Sequence, residues 1–483
     1  MKNIIQNISI ALFALVIITL SSCKKYLDIN QNPNAAEEPP INGLLANTTY
    51  STAYNVYSAG NITSYYTQYL SSPNPASDVD IYNTINTSDT WTGVYDYDLS
   101  KYRYGFYNIM TDLYDMRKFA AQKGLNAYIA VSDILMALHL NMATNLWGDI
   151  PYTEAFLGVE NLTPKFDDAH ALFDTSLALL DAGINLLQQP DADGQLDAGS
   201  DFIHAGSADA WIKTAHAIKA RMLNQLSKTT DYNADAVLGE IASAYTDNAD
   251  DAQVSIFEVR NPWAQVAQNN AGLDLDGWLS SYFVNATNSA TYGVFDPRLP
   301  LITDTTKYGD YRGTPNGKGR IGTGTEQEEC YLSVTGWYSS DNSPLQIITY
   351  AECKFIQAEA AFRKGDKQTA YDAYLAGIEA NMEKMDVRDT AITRYTTEPT
   401  VAVGANNITL ALILKEKYMA CFLNPVTWDD MRRFDYNYKN FTLPVNAVLT
   451  TFIRRTSYPV DEISTNGKNV PDIQLTDHLW WDQ

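Results

Sequence analysis

The residue with the clearest chemistry in this sequence is Cys23, the last residue of the string LSSC at 20–23. Small residues before a cysteine resemble a lipobox, in which the thiol takes a diacylglycerol, the leader is cleaved off and the new amino group is acylated, for example with palmitate. The uncharged stretch 8–20 is too short to span a bilayer and is typical of an export signal. The sequence therefore predicts a signal peptide over 1–22 and a lipid anchor at Cys23. The alternative is an ordinary secretory signal followed by a chance cysteine.

The side chains that usually carry catalysis are thinly spread. The 5 histidines are scattered, and neither a zinc-binding HExxH nor a nucleophilic GxSxG motif occurs. The string GKGRIG at 317–322 matches a dinucleotide fingerprint, but no apolar strand precedes it and no amphipathic helix follows, which favours a surface loop. Any two of the 57 acidic residues could form a glycosidase pair in the fold, so a surface glycoside hydrolase stays open as an alternative.

Closely spaced aspartates beside glycines offer a second kind of site. Carboxylates two residues apart in a turn are ligands that calcium accepts, although neither stretch completes the twelve-residue calcium loop. The pattern predicts solvated turns or a structural calcium ion, and no other cofactor. The residues concerned are Asp191, Asp193, Asp197, Asp274 and Asp276.

Aromatic side chains give the best basis for a binding hypothesis. The chain has 32 tyrosines and 9 tryptophans, and an exposed ring can stack on the C–H face of a sugar while amides bind the surrounding hydroxyls. Tryptophans inside helical patterns are expected in the core, whereas four others fall in stretches without periodicity. We expect the ligand contacts among Trp91, Trp263, Trp278, Trp337 and Tyr82.

Helices must position these residues, because apolar side chains recur with helical spacing along most of the chain. A capping box at 349–352, a stop at Gly365 and a new start at Asp366 predict a helical hairpin. Thr163 as cap and Pro164 at the first position predict the start of another helix. The helical stretches are 131–142, 173–187, 211–222, 349–382 and 410–421.

Four long stretches lack a helical period and are rich in turn-forming residues. Loops of this length are seldom idle in a compact domain. The predicted fold is therefore mainly α: a tetratricopeptide-like scaffold of helical pairs with an irregular, loop-rich lobe that contains short strands. Residues 23–40 are polar and proline-rich and predict a lipidated tether, and 41–483 predict a single domain. The lobe takes in approximately 72–100, 255–345, 385–407 and 436–483.

The charge balance excludes one class of partner. A formal charge of -23 makes nucleic acid and bare anionic lipid poor partners. Cys330, Cys353 and Cys421 remain after Cys23 is lipidated, and we expect them to be free thiols that act as small hydrophobes.

Eight strings in order along the chain resemble one family, the SusD/RagB-like nutrient-binding outer-membrane lipoproteins of Bacteroidetes, in their second large branch. They span nearly the whole mature chain, which makes the resemblance far more specific than any single motif. The strings are CKKYLDINQNPN from 23, LWGDIPYTEAF at 146–156, DFIHAGSADAWIKTAHAIKARM at 201–222, DPRL at 296–299, AECKFIQAEAAFRKG from 351, EKYMACFLNPVTWDDMRRF from 416, RRTSYPVDEISTN from 454 and LWWD from 479.

The resemblance implies four helical pairs that support an irregular ligand-binding half. It also implies a lid on a SusC-like TonB-dependent outer-membrane barrel, capture of glycan or peptide fragments, and no catalysis. Binding residues of this family lie in variable loops, so the resemblance assigns none here. Many relatives carry acidic residues after the lipidated cysteine as a surface-export signal, whereas this chain has Lys24 and Lys25. Exposure on the outer face is thus an expectation from the family alone, and an assembly scaffold that binds no ligand is the remaining alternative.

Overall fold

The structure is a computed structural model that describes residues 38–83, 94–95, 105–189, 195–272, 275–323 and 325–483. The predicted signal peptide, the lipidation site at Cys23 and most of the tether lie outside the described residues.

Helices account for 51% of the structure, in 14 segments among the residues described, which confirms the mainly α fold class. They are α1 Ile41–Tyr66, α2 Phe106–Lys123, α3 Asn126–Trp147, α4 Ala169–Leu187, α5 Ala208–Gln225, α6 Ala234–Ile241, α7 Pro262–Ala271, α8 Ser281–Thr287, α9 Tyr350–Lys364, α10 Lys367–Lys384, α11 Asp389–Thr396, α12 Leu410–Ala420, α13 Val426–Arg433 and α14 Val460–Asn466.

Eight of these helices form the scaffold by packing in chain order. Each of α1 to α5 contacts the next helix, α6 contacts α9, and α9 contacts α10. Because every helix covers the apolar face of its neighbour, the eight helices make four consecutive pairs, as in tetratricopeptide repeats. Helix α12 closes the stack by packing on both α9 and α10.

The α9–α10 hairpin forms where the sequence predicts it. Thr349 Oγ1 accepts a hydrogen bond from the Glu352 backbone N–H at 3.2 Å, and Gly365 ends the helix with φ +92°. Asp366 caps α10 by accepting from the Thr369 N–H at 3.1 Å. One half of the predicted capping box is wrong, because the Glu352 carboxylate binds Arg221 Nε at 2.7 Å instead of turning back to the helix end.

Helix α4 begins later than predicted. Its cap is Asp168, whose carboxylate accepts from the Ala171 N–H at 2.9 Å. The predicted cap at Thr163 and the predicted first position at Pro164 lie in the preceding loop, where their carbonyls accept from Asn469 and Asn466. Contacts with the distant residues Asn466 and Asn469 have therefore taken the place of the predicted helix cap.

A buried ionic cluster joins α5, α9 and α13. Glu359 accepts from Asn224 at 2.9 Å, from Arg363 at 2.8 Å and from both terminal nitrogens of Arg433. Arg433 also donates to Asp430 at 2.7 Å. Burial acts to raise the pKa of Glu359, but the charges and hydrogen bonds of Arg433, together with Arg363, lower it well below its usual value. The cluster holds three scaffold helices at fixed separation.

A second ionic cluster lies between the lobe and α12. Arg298 is 1% exposed and donates to Asp296 at 2.9 and 2.7 Å, and to Glu416 at 2.7 Å. Lys415 donates to Glu416 at 2.5 Å, so two cations balance two carboxylates. Charge balance and multiple hydrogen bonds are what make such burial tolerable.

Helix α3 is long and apolar enough to cross a membrane by length and composition. In the part of the chain that the structure describes it is the one helix that meets this test, and 89% of its most apolar stretch is buried against other parts of the protein. Such burial is typical of a core helix.

The lobe is irregular but contains more helix than the sequence predicts. Helices α7 and α8 lie in the stretch 255–345, α11 in 385–407 and α14 in 436–483. The described strands, β1 Ala252–Val254 and β2 Leu345–Ile348, form an antiparallel pair with Ala252 opposite Ile348. Elsewhere single bridges such as Leu70 to Leu279 join the lobe's segments. Residues 41–483 make up one compact unit.

Candidate functional site

The structure buries three of the four predicted aromatic contacts that lie in the described residues. Trp263 is 4% exposed and packs edge-on against Tyr57 at 4.8 Å between ring centroids. Trp278 is 2% exposed and donates from its indole to Asn270 at 2.6 Å. These rings and the fully buried Tyr82 offer no face on which a sugar could stack, so their burial argues against the prediction.

Two other predicted contacts have different outcomes. Trp91 lies outside the described residues. Trp337 is half-buried and packs edge-on against Tyr338 at 4.8 Å between ring centroids.

The short helix α8 is the element around which polar groups collect in the lobe. It begins because the Ser280 hydroxyl accepts from the Tyr282 N–H at 3.1 Å. Backbone bonds fix its entry on both sides: Ser280 N–H donates to Tyr69 O, and Ser281 N–H donates to Thr314 O, each at 2.9 Å. Backbone contacts from two separate parts of the chain therefore hold α8 in place.

One face of α8 forms the floor of a cavity of about 180 Å³, which we call the α8 cleft. Its walls come from α1's C-terminal turn, from 315–316 and from 440–445. The lining side chains are uncharged and mostly polar. They are Gln68, Ser281, Tyr282, Asn285, Thr291, Pro315, Asn316, Asn440, Thr442, Leu443, Pro444 and Val445.

Four of the lining side chains have hydrogen-bonding capacity to spare. The amides of Asn285 and Asn440 and the hydroxyls of Thr291 and Thr442 make no hydrogen bond to any residue that the structure describes. An amide offers two donors and one acceptor oxygen, and a hydroxyl offers both functions. The cleft is thus equipped for a ligand that carries hydroxyl groups.

An aromatic pair, the exposed Phe295 and the half-buried Tyr311, flanks the end of α8. Phe295 is 42% exposed, and its ring lies 5.9 Å from that of Tyr311 between centroids. Asn288, which follows α8, donates to Tyr311 O at 3.0 Å and forms a bridge with Phe295. Both rings are therefore tied to the helix that forms the cleft floor, and sequence reasoning missed them because their exposure depends on tertiary packing.

A buried carboxylate supports one wall of the α8 cleft. Asp80 accepts from Asn316 at 2.6 Å, from the Gly317 N–H at 2.7 Å, and from the Ser72 N–H and the Ser71 hydroxyl at 3.2 Å each. Burial raises the pKa of Asp80 to about 6, although the four donors act to lower it. Asp80 therefore positions Asn316 from behind the wall.

The ionic cluster around Arg298 reaches Tyr292, the sequence neighbour of the lining residue Thr291, through Lys415. The Lys415 ammonium is 5.1 Å from the centroid of Tyr292, and burial raises the pKa of the Tyr292 phenol to about 12. The exposed Lys439 lies 5.5 Å from the same ring centroid. Tyr292 thus stands between buried charge and a surface cation at the rim.

The predicted calcium ligands gain little support from the described part of the chain. Asp197 accepts from the Ser200 hydroxyl at 2.6 Å, and Asp276 accepts from the Gly277 N–H at 2.8 Å, as turn carboxylates do. Asp191, Asp193 and Asp274 lie outside the described residues. Among those described, no three histidine, cysteine or acidic side chains are grouped to hold a metal ion.

The reactive side chains of the described region are in structural positions. Cys330, Cys353 and Cys421 are free and buried, as predicted. His139 is fully buried, and burial lowers its pKa to about 3, which keeps the ring neutral.

A larger cavity of about 460 Å³ lies on the scaffold, between the end of α4 and residues 195–208. Its wall is made of aliphatic side chains and the two glutamines Gln189 and Gln195. It therefore offers a sugar fewer hydrogen-bonding groups than the α8 cleft does.

Comparison with known proteins agrees on one family. Residues 33–459 match the sequence profile of the SusD-like proteins of the second branch, described as starch-binding and associating with the outer membrane. No curated protein sequence matches the chain.

Solved structures share the fold at low sequence identity. A SusD homolog from Bacteroides fragilis is 20% identical with a TM-score of 0.74, covering 92% of this chain and 100% of its own. A SusD/RagB family protein from Bacteroides thetaiotaomicron is 20% identical with a TM-score of 0.73 over 92% and 99% of the two chains. A chitin-binding SusD homolog from Flavobacterium johnsoniae is 20% identical with a TM-score of 0.72 over 92% and 98%. With the profile covering most of its length, the chain belongs to the SusD-like family.

Proposed function

We propose that this protein captures glycan fragments in the α8 cleft at the outer membrane and passes them, without chemistry, to a SusC-like TonB-dependent barrel. The observation that carries the proposal is the set of cleft amides and hydroxyls that have no hydrogen-bond partner among the described residues, next to the exposed ring of Phe295 and the half-buried ring of Tyr311. The starch-binding description of the family and the chitin-binding relative support a glycan over a peptide.

The size of the cleft suits part of a sugar chain. Cavities that enclose a drug-sized ligand measure roughly 300–1,000 Å³, whereas the α8 cleft measures about 180 Å³. One sugar unit would enter and bind the amides of Asn285 and Asn440. The rest of the chain would lie over the surface, where Phe295 and Tyr311 offer ring faces.

Calorimetry against a panel of polysaccharides and oligosaccharides tests the proposal. Asn285→Ala and Asn440→Ala should each weaken binding by about 1 kcal/mol, the usual net value of a hydrogen bond. Phe295→Ala should cost about 0.5–1.5 kcal/mol if the ring stacks on the sugar. Gln189→Ala in the scaffold cavity is the matched control and should leave affinity unchanged. Wild-type affinity in all three cleft variants would exclude the α8 cleft.

The hydrolase alternative makes an opposite prediction. A glycosidase needs two carboxyl groups on either side of the bond that it cleaves, and the cleft lining contains none. We propose that incubation of the purified protein with any glycan that it binds releases no reducing ends. Turnover that survives further purification would favour the hydrolase.

The anchor and the location are proposed on the sequence alone. Cys23→Ser should abolish incorporation of labelled palmitate and release the protein from the membrane fraction. Protease added to intact cells should degrade the wild-type protein if it faces outward. Protection in intact cells, with degradation after lysis, would place it on the inner leaflet despite its family.

A set of exposed apolar side chains on α14 and on the loop 157–162, which we call the patch, is our candidate for contact with the barrel. Asn466 at the end of α14 donates to Pro164 O at 2.8 Å, which joins α14 to the loop after Phe156. Exposed apolar groups of this kind mark interaction sites. The patch comprises Leu157, Val159, Leu162, Val460 and Ile463, which are 42–89% exposed.

Co-purification with the barrel tests this contact. Val159→Asp and Ile463→Asp should reduce recovery of the complex, because a carboxylate would be desolvated at the interface. Val259→Asp is the matched control, since Val259 is 80% exposed but lies outside the patch. Equal recovery with all three variants would move the contact elsewhere.

A further inference from the structure

The lining of the α8 cleft differs in charge from the protein as a whole. The chain carries a formal charge of -23, yet none of the described residues that line the cleft is a carboxylate. The nearest acidic groups described above are withdrawn into the protein: Asp80 is 0% exposed behind its four donors, and Glu416 is 0% exposed and paired with Arg298 and Lys415.

Two exposed lysines lie close in sequence to residues that line the cleft, although their own side chains are not part of the lining. Lys318 donates its backbone N–H to Pro315 O at 3.1 Å and so closes the turn that presents Asn316. Lys439 precedes the lining residue Asn440 and lies 5.5 Å from the Tyr292 ring centroid. Both side chains are exposed.

These lysines have no carboxylate partner in the part of the chain that the structure describes. Neither Lys318 nor Lys439 forms an ion pair with any acidic group in the described ranges, although most of the partly buried cations do. In a strongly acidic protein, two exposed ammonium groups that have no ion-pair partner among the described residues, each close in sequence to a lining residue of the cleft, are a local excess of positive charge.

From this arrangement we infer that the α8 cleft selects acidic glycans, whose uronate carboxylates or sulfate groups are bound by Lys318 and Lys439. The inference rests on the proposed function and names its ligand class. The sugar hydroxyls bind Asn285, Thr291 and Asn440, and the ligand's anionic group binds the ammonium groups at the rim. The negative charge of the remaining surface repels such ligands elsewhere, so binding concentrates at this cleft.

Oligogalacturonate and its methyl ester form a matched pair of probes, because esterification removes the charge and keeps the sugar chain. Sulfated chondroitin and its desulfated form are a second pair, and starch and chitin oligosaccharides represent neutral glycans. Calorimetry should detect binding of an acidic member and at least about tenfold weaker binding of its neutral partner. Raising the salt concentration from about 0.05 to about 0.5 M should weaken binding of the acidic ligand and leave binding of the neutral ligand unchanged.

Variants then locate the charge. Lys318→Gln and Lys439→Gln should each lower the affinity for the acidic ligand by about fivefold, which corresponds to the upper value for an exposed ion pair. Lys468→Gln makes the same charge change at an exposed lysine next to α14, outside the cleft, and should change nothing. The neutral partner should bind all variants equally.

The outcomes separate the inference from the function that it rests on. If neutral glycans bind as tightly as acidic ones and Asn285→Ala weakens both, the inference is overturned and glycan capture stands. If acidic glycans bind but the lysine variants match Lys468→Gln, the assignment of Lys318 and Lys439 is overturned. If calorimetry detects no binding of either pair of probes or of the neutral glycans, the result counts against glycan capture itself.

Discussion

Removal of one charge from the cluster around Glu359 should destabilise the whole scaffold. Glu359→Gln keeps the shape of the side chain but leaves the Arg433 guanidinium, which is 2% exposed, without its bidentate partner. Removing one member of a buried pair costs about 3–5 kcal/mol. Because Arg433 keeps its bond to Asp430 at 2.7 Å, we expect a loss near the lower end, about 3 kcal/mol.

Chemical unfolding followed by tryptophan fluorescence measures the effect, with Glu383→Gln as control. Glu383 is an exposed carboxylate on α10, and such surface changes stay within about 0.5 kcal/mol. If Glu359→Gln lowers the free energy of unfolding by less than about 1 kcal/mol, the reasoning is refuted, because the buried cluster would then stabilise the fold no more than a surface ion pair does.

The pH dependence gives an independent check. Because the folded state lowers the pKa of Glu359, its ionised form stabilises the fold above the unfolded pKa of about 4.3. That contribution is lost as the pH falls through the lower folded value. The stability gap between wild type and Glu359→Gln should therefore be largest near neutral pH and narrow below about pH 4.

Three further predictions concern other buried groups. The pKa of Asp80 is raised to about 6. The protonated carboxyl therefore stabilises the fold fully below about pH 4, and this stabilisation falls by roughly 3 kcal/mol as the pH rises past 6. In Asp80→Asn the free energy of unfolding should vary less with pH over that window. Gly317 has φ +75°, and a Cβ there would meet Val445 O at 1.9 Å. Gly309 has a similar φ of +77°, but a Cβ there would meet no other atom. Gly317→Ala should therefore weaken glycan binding and lower stability by more than Gly309→Ala does. Binding assays and unfolding curves of the two alanine variants test this, and equal losses would contradict it. The three buried cysteines should resist a thiol reagent in the folded protein and react fully in denaturant.

The scaffold was predictable because its signals are local. Thr349, Gly365 and Asp366 mark helix ends through caps and a left-handed turn that involve only neighbours in sequence. Glu352 shows where such reasoning stops. It has the right type and spacing for a capping box, but Arg221, 131 residues away in sequence, binds its carboxylate. A distant partner of opposite charge outcompetes a helix end.

The lobe was less predictable because its burial comes from contacts between distant stretches. Trp278 lies in an aperiodic segment, which suggested exposure, yet the bridge to Tyr331 and the bond to Asn270 place it in the core. Phe295 is equally aperiodic and is exposed. Sequence pattern does not separate the two, since no helical or strand period assigns either ring to a face.

If the α8 cleft binds glycans as proposed, the anchoring of α8 has a consequence for how its ligand preference can change. Its position depends on peptide groups, through Ser280 to Tyr69 O and Ser281 to Thr314 O, and on the bond from the Ser280 hydroxyl to Asn316, but not on the side chains of Asn285, Thr291 and Asn440. Single-codon changes at Asn285, Thr291 or Asn440 can then alter the preferred cargo while the frame stays folded. Natural selection, or a laboratory library confined to these sites, can explore new nutrients at little risk to the rest of the molecule.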